Sequence, residues 1–405
     1  MTLGVGGSTI EAELGRIASW RDSAVAIGEP ELRARIARVQ AGMRAKGVQA
    51  LYLDASTSTF YFTGLRLRGS ERLHGVLIPA DGEITYLTPV FEEAKLRTMI
   101  TLEGAVRGWQ EHEDPTALVV ETVRGMGYDA GTIAVDPATP FFTFDGLRRA
   151  GNRYDFVNAN EVIAPCRMRK TPAEIALIKQ AMAMTLEVHK ATARILRVGI
   201  TTTEVEDFIK AAHQRIGMDP AFTFCIVLFG EPTAYPHGVP YAQTLKEGDM
   251  VLIDIGATLH GYQSDITRSY VFGQGTARQR EVWNIEQAAC QAVFEAARLG
   301  APCEALDAAA RGVIEAAGFG KDYALPGLPH RTGHGLGLDV HEEPYIVRGN
   351  GTPLEVGMCF SNEPTICIYG EFGVRLEDHI YMAEDGAHWF TTPALSFDDP
   401  FAVGG

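Results

Sequence analysis

The stretch VLIDIGATLHGYQSDITRS, residues 251–269, sets acidic side chains into runs that otherwise have the composition of buried strands. An antiparallel hairpin turning between Leu259 and His260 brings Asp254 opposite Asp265, with β-carbons about 5 Å apart on one face. A second stretch, SNEPTICIYGEFGVRLEDHI (361–380), read as a hairpin turning at Gly370, brings Glu363 opposite Glu377. Like charges that face each other across a sheet are destabilising, and burial between residues such as Ile253, Ile255, Leu376 and Ile380 makes their ionised forms costlier still. A single strand acid usually belongs to a solvated face, but two facing pairs require compensation. Shared protons would do this for one pair, whereas divalent cations would do it for all four acids.

The stretch RTGHGLGLDVHEEP (331–344) bears on that choice. A phosphate-binding glycine loop is followed by a helix and accompanied by a basic group. Here the glycines alternate with His334, Leu336 and Leu338, which predicts an extended segment. With His334 as a nitrogen donor beside four carboxylates, the metal reading is preferred.

At 405 residues the chain is too long for one ordinary core, and two or three domains are expected. A net charge of −15 argues against nucleic acid or an anionic membrane as partner. No apolar run approaches a membrane span, and no basic segment followed by an apolar one opens the chain. The six cysteines form no CxxC pattern and read as reduced thiols. A cytoplasmic protein is expected.

Residues 1–165 are expected to form an α/β domain, with strands in VQALYLDA, on either side of the Asp81-Gly82 turn, in TIAVDP and in YDFVNA. Residues 166–405 are expected to form an α+β domain in which two helices followed by strands occur twice, which suggests pseudo-symmetry. The first helix pair starts at Thr171-Pro172-Ala173-Glu174 and Thr201-Thr202-Thr203-Glu204, both capping boxes.

The motifs DIGATLHGYQSDITR, GHGLGLDVHEEP, SNEP and VRLED, in that order, resemble those of the pita-bread metallopeptidases, in the Xaa-Pro dipeptidase (prolidase) and aminopeptidase P branch. RMRKTPAEI and, more weakly, the N-terminal α/β domain extend the resemblance over roughly residues 30 to 390. It implies a pita-bread catalytic domain whose two Mn²⁺, Co²⁺ or Zn²⁺ ions are held by Asp254, Asp265, His334, Glu363 and Glu377. Asp265, Glu377 and a hydroxide would bridge the ions, and that hydroxide would attack the Xaa-Pro bond of a proline-containing dipeptide. Glu363 is expected to shuttle the proton, and His237 and His341 to steady the carbonyl and its intermediate. His330 is a candidate for the substrate pocket. A cytoplasmic homodimer is implied.

Two departures stand out. Related prolidases often carry arginine, a partner for the proline carboxylate, where HEEPY has Tyr345; Arg348 or Arg375 is expected to substitute. EPTICIY replaces EPGIY, so Cys367 stands at the position of an active-site tyrosine and Thr365 at that of a glycine. Strand period directs Tyr369 to the same side as Cys367, and either Tyr369 or His237 is expected to supply the missing donor. The alternatives are aminopeptidase P action on longer Xaa-Pro-Yaa peptides and an inactive peptide-binding module, against which the full ligand set speaks.

Overall fold

The computed structural model describes residues 2–220 and 222–404. It divides into two compact units, Ile27–Arg167 and Met1–Ala26 with Met168–Gly405. The expectation that the leader belongs to the first domain is therefore corrected. Ile10, Leu14 and Ile17, spaced for one helix face, join the apolar cluster of the second unit. Glu13 of the helix Ile10–Arg16 is buried and ion-paired at 2.7 Å with Arg194.

The first unit is built on a mixed sheet of β1 (Val48–Asp54), β2 (Gly75–Pro79), β3 (Thr85–Pro89), β4 (Ala105–Trp109), β5 (Gly131–Val135) and β6 (Tyr154–Asn158), in the order β4-β3-β2-β1-β5-β6. β1, β2 and β3 run antiparallel in succession, while β4, β5 and β6 pair in parallel with β3, β1 and β5. Strand β4 escapes a sequence reading because AVRGW is an edge segment with little burial until Trp109.

The second unit repeats one plan. The helices Pro172–Ile195 and Thr202–Ile216, each opened by a complete capping box, precede β7 (Phe222–Phe229), β8 (Met250–Leu259), β9 (Tyr262–Gln263) and β10 (Ile266–Val271). The helices Ala277–Ala296 and Cys303–Ala316 then precede β11 (Gly333–Gly335), β12 (Glu342–Ile346), β13 (Cys359–Asn362), β14 (Thr365–Ile368), β15 (Phe372–Arg375), β16 (Asp378–Ala383) and β17 (Gly386–Trp389). One sheet has the order β10-β8-β7, with β9 on β8; the other has the order β12-β11-β13-β16-β17, and β14-β15 forms a separate ribbon. This is the expected pseudo-symmetric pita-bread arrangement.

Strand alternation decides what each sheet offers to the site. Val251, Ile253, Ile255, Ala257 and Leu259 of β8 enter the core shared with the first helix pair. Phe360, Ile366, Ile380 and Met382 enter the core shared with the second. The residues between them, including Asp254, Ser361 and His379, face away from the helices. Burying each apolar partner stabilises the fold by about 1.5–3 kcal/mol, which holds the opposite, acidic faces in place. No described helix is long and apolar enough to cross a membrane, and all six cysteines are free thiols.

Candidate metal centre

The hairpin carrying the first two acids is shifted from its expected register. Asp254 pairs with Thr267, and Leu259 with Tyr262, so the turn residues are His260 and Gly261, with φ of 50° and 90°. A two-residue hairpin of this twist needs positive φ at both central positions, which Gly261 adopts freely and Leu259 would resist. Asp265 is thus not directly opposite Asp254. The shift is two residues, however, so the side-chain face is preserved. Between β9 and β10 the ladder is interrupted at Ser264 and Asp265, where the Ser264 hydroxyl accepts from the Ala257 amide at 3.1 Å and donates to its carbonyl at 3.0 Å.

The second hairpin has the expected register. Thr365 pairs with Arg375 and Cys367 with Gly373 in β14–β15, and Asn362 pairs with Asp378 in β13–β16. Glu363 and Glu377 fall between these ladders, and Glu377 bridges to Thr267 across the two halves of the unit. The Arg268 guanidinium reinforces that seam, donating to the Glu377 carbonyl at 2.9 Å and pairing with Asp378 at 2.8 Å.

The glycine-rich segment forms a strand rather than a helix start. Gly333 approaches β13 so closely that a β-carbon there would lie 2.1 Å from the Ser361 carbonyl oxygen. That approach lets the His334 amide donate to the Ser361 hydroxyl at 2.8 Å. His334 Nδ1 lies 3.1 Å from the Gly335 carbonyl, so the tautomer that donates there leaves the Nε2 lone pair facing the neighbouring carboxylates. Nε2 lies 2.9 Å from Glu363 Oε1 and 3.6 Å from Asp265 Oδ2.

Three groups of possible metal ligands result, each with donor atoms within 4.8 Å of one another: Asp254, Asp265 and Glu377; His334, Glu363 and Glu377; and Asp265, His334 and His379. The first two share Glu377. Asp254 Oδ1 and Glu377 Oε1 are buried without a hydrogen-bond partner among the described residues, while their other oxygens are held by Arg375 at 2.6 Å and by the Thr267 hydroxyl at 2.7 Å. Burial and the neighbouring acids push Asp265 and Glu377 well above the usual carboxylate range, and burial raises Asp254. Burial acts the same way on Glu363, but His334 draws it below that range. Crowded carboxylates with bare oxygens, plus one imidazole nitrogen, suit divalent cations that accept mixed oxygen and nitrogen donors.

The remaining sequence candidates are distributed unevenly. His341 is a neighbour of the ligand set, its ring centroid 4.1 Å from that of His334. His237 is exposed on the loop after the turn Glu231–Ala234, and Arg375 binds that loop through the Pro236 carbonyl at 3.1 Å. The half-buried His330 hydrogen-bonds the Arg331 carbonyl at 2.6 Å. Arg375 is a buried partner of Asp254 rather than a free anchor for substrate: burial opposes its charge, but Asp254, Glu363 and Glu377 hold the guanidinium firmly protonated. Arg348 is exposed and ion-paired with Asp322. Tyr369 lies in the turn beyond β14, exposed and stacked at 4.9 Å on Tyr235, so it does not continue the face of Cys367. Cys367 itself is buried, with its thiol pushed up to about 11 by burial.

Four residues near the ligands were not anticipated. Thr267 is visible only once the register is right. His379, buried between His334 and Asp265, follows Glu377 by two positions and so shares its strand face, a signal present in EDH. Ser361 supports both His334 and Glu363, the latter at 3.0 Å. Glu286 is buried in the helix Ala277–Ala296 with both carboxyl oxygens lacking a hydrogen-bond partner among the described residues, and burial raises it well above the carboxylate range.

Residues 176–384 match the model of metallopeptidase family M24, and residues 35–169 match the creatinase/prolidase N-terminal domain. The chain is 35% identical over 353 residues to a Xaa-Pro dipeptidase of Lactobacillus helveticus, covering 84% of this chain and 92% of that protein. Among solved structures, dipeptidase PepE from Mycobacterium ulcerans superimposes with a TM-score of 0.84 at 34% identity, covering 91% of this chain and 97% of the other. Prolidase from Thermococcus sibiricus gives 0.82 at 31% identity, covering 90% and 98%.

Proposed function

The chain belongs to metallopeptidase family M24, and on that premise we propose that it is a metal-dependent dipeptidase that hydrolyses the Xaa-Pro bond, with Asp254, Asp265, His334, Glu363 and Glu377 holding two divalent ions. The observation that carries this reading is the pair of ligand groups sharing Glu377, with bare buried oxygens on Asp254 and Glu377. Dipeptide action is supported over the aminopeptidase P alternative by the names of similar proteins, which include Xaa-Pro dipeptidase and prolidase. The donor set suits Mn²⁺, Co²⁺ or Zn²⁺. The homodimer and the cytoplasmic location rest on the family resemblance and on the sequence's reduced-thiol character.

When bound, such ions make water acidic enough to act as a nucleophile at neutral pH and polarise the scissile carbonyl. The chain's own groups supply the rest. Glu363, less buried than Asp265 and Glu377 and oriented by Ser361 and His334, takes the proton from water and delivers it to the leaving proline nitrogen. His341, in ring contact with His334, and His237, on the loop that Arg375 holds through Pro236, donate hydrogen bonds to the oxyanion as the carbonyl becomes tetrahedral. Arg375 and Thr267 each engage one oxygen of Asp254 and Glu377, which leaves Asp254 Oδ1 and Glu377 Oε1 as the atoms that would hold the ions.

The test is hydrolysis of Ala-Pro and Ala-Pro-Ala by chelator-stripped protein before and after addition of each metal. Activity on Ala-Pro that disappears on stripping and returns with metal is expected. Full activity in protein shown by elemental analysis to be metal-free would overturn the reading, and a preference for Ala-Pro-Ala would select the alternative.

A further inference from the structure

The proposed hydrolysis makes no use of His379, although its imidazole is fully enclosed and neither Nδ1 nor Nε2 has a hydrogen-bond partner among the described residues. A buried ring normally bonds a carbonyl or hydroxyl, because a polar group left unpaired costs about 1–3 kcal/mol. His213 does so twice, on the Thr185 hydroxyl and the Ile209 carbonyl, both at 3.2 Å, and His189 does so on the Ile266 carbonyl at 2.9 Å. The strand shows where the bare ring of His379 is directed. Ile380 and Met382 of β16 enter the core, so His379 rises from the opposite face, the one it shares with Glu377. Across the ladder it pairs with Ser361 of β13, whose hydroxyl holds both the His334 amide at 2.8 Å and Glu363 at 3.0 Å. Donor atoms of Asp265, His334 and His379 all lie within 4.8 Å of one another, and the two histidine rings are 6.1 Å apart.

We propose that His379 is a further metal ligand, a second nitrogen donor beside His334 on one ion of the centre, with Asp265 as a carboxylate on the same ion. Burial, then His334, hold the ring well below its ordinary pKa, while Glu363 and the Asp265 backbone act in the opposite sense. A neutral imidazole keeps one lone pair, which is what a cation takes. The assignment rests on the dinuclear reading and gives its two ions unlike surroundings. Asp254, Asp265 and Glu377 offer oxygen alone, which suits Mn²⁺, whereas the group with His334 and His379 offers two imidazoles, which favours Zn²⁺. The chain itself thereby discriminates between metals on the histidine side of the centre.

Zinc K-edge absorption on chelator-stripped protein loaded with one equivalent of Zn²⁺ counts the imidazoles bound to the ion. Two are expected in wild type and in His341→Asn, and one in His379→Val, where valine keeps the strand propensity. Calorimetric titration of His379→Val should show the tighter Zn²⁺ dissociation constant raised at least about 100-fold, above the contribution of an outer partner, with Mn²⁺ affected by less than about tenfold. One imidazole in wild type, two that persist in His379→Val, or an unchanged Zn²⁺ constant overturns the inference; the wild-type count decides the matter should the variant fail to fold. Hydrolysis of Ala-Pro by the metal-restored wild type keeps the two readings apart. Turnover with one imidazole on the zinc refutes the role of His379 alone, whereas two imidazoles without turnover refute the dipeptidase reading and leave the histidine site standing.

Discussion

Thr267→Val tests whether the bare oxygen of Glu377 is directed by its neighbour. The Thr267 hydroxyl is fully buried and donates to Glu377 Oε2 at 2.7 Å, while Oε1 has no partner among the described residues. Valine keeps the volume and the β-branch suited to β10 but replaces the donor by a methyl group. A hydrogen bond to a charged group is worth about 1.5–3 kcal/mol, which is a factor of roughly 10 to 150 in an equilibrium constant. Second-layer partners of metal ligands typically change affinity by about 10- to 100-fold, and the two routes agree. The apparent dissociation constant for Mn²⁺, titrated calorimetrically into stripped protein, should therefore rise about 10- to 100-fold. Activity should be regained when excess metal saturates the variant, because Thr267 touches Glu377 and not the substrate. The reasoning is refuted if a folded Thr267→Val protein binds Mn²⁺ with wild-type affinity, or if saturating metal fails to restore turnover.

Glu363→Gln should lower kcat by at least about a hundredfold on Ala-Pro with metal content checked alongside, since a general acid/base contributes on the order of 10² to 10⁴; near-normal turnover with normal metal content would assign the proton transfer to another group. The buried His213, 3.2 Å from the Thr185 hydroxyl, is lowered by burial to about 4. Its folded pKa is below the unfolded value, so the stability it contributes is present above about pH 6.5 and is lost as pH falls toward 4. Urea unfolding should show wild type losing about 2 kcal/mol more than His213→Gln between pH 7.5 and pH 5, and parallel pH profiles would contradict this.

The parts of the site that local rules govern were legible in the residues. Gly370 marks the β14–β15 turn, and the register it implies sets Glu363 across from Glu377. A turn at Leu259-His260 misaligns the first hairpin, because Gly261 offers the backbone conformation the turn needs. The two-residue shift moves Asp265 along the strand without changing its face, so it still groups with Asp254 and Glu377. His379 was recoverable from the same alternation and was overlooked. Arg348, Arg375 and Tyr369 were not legible in this way, because each is decided by a partner distant in sequence: Asp322, Asp254 and Tyr235. The burial of Glu286 is of the same kind, since helix period alone does not identify which acid of this helix the fold encloses.

The Thr267–Glu377 bridge joins two half-sheets that each hold only part of the proposed ligand set. Asp254 and Asp265 come from the first half, while His334, Glu363 and Glu377 come from the second. During synthesis the first pair emerges alone, and the chain must extend through Glu377 and dock its second sheet before the shared oxygen is in place. A half-made chain is therefore a poor trap for cations, and dipeptide hydrolysis waits until both half-sheets are docked.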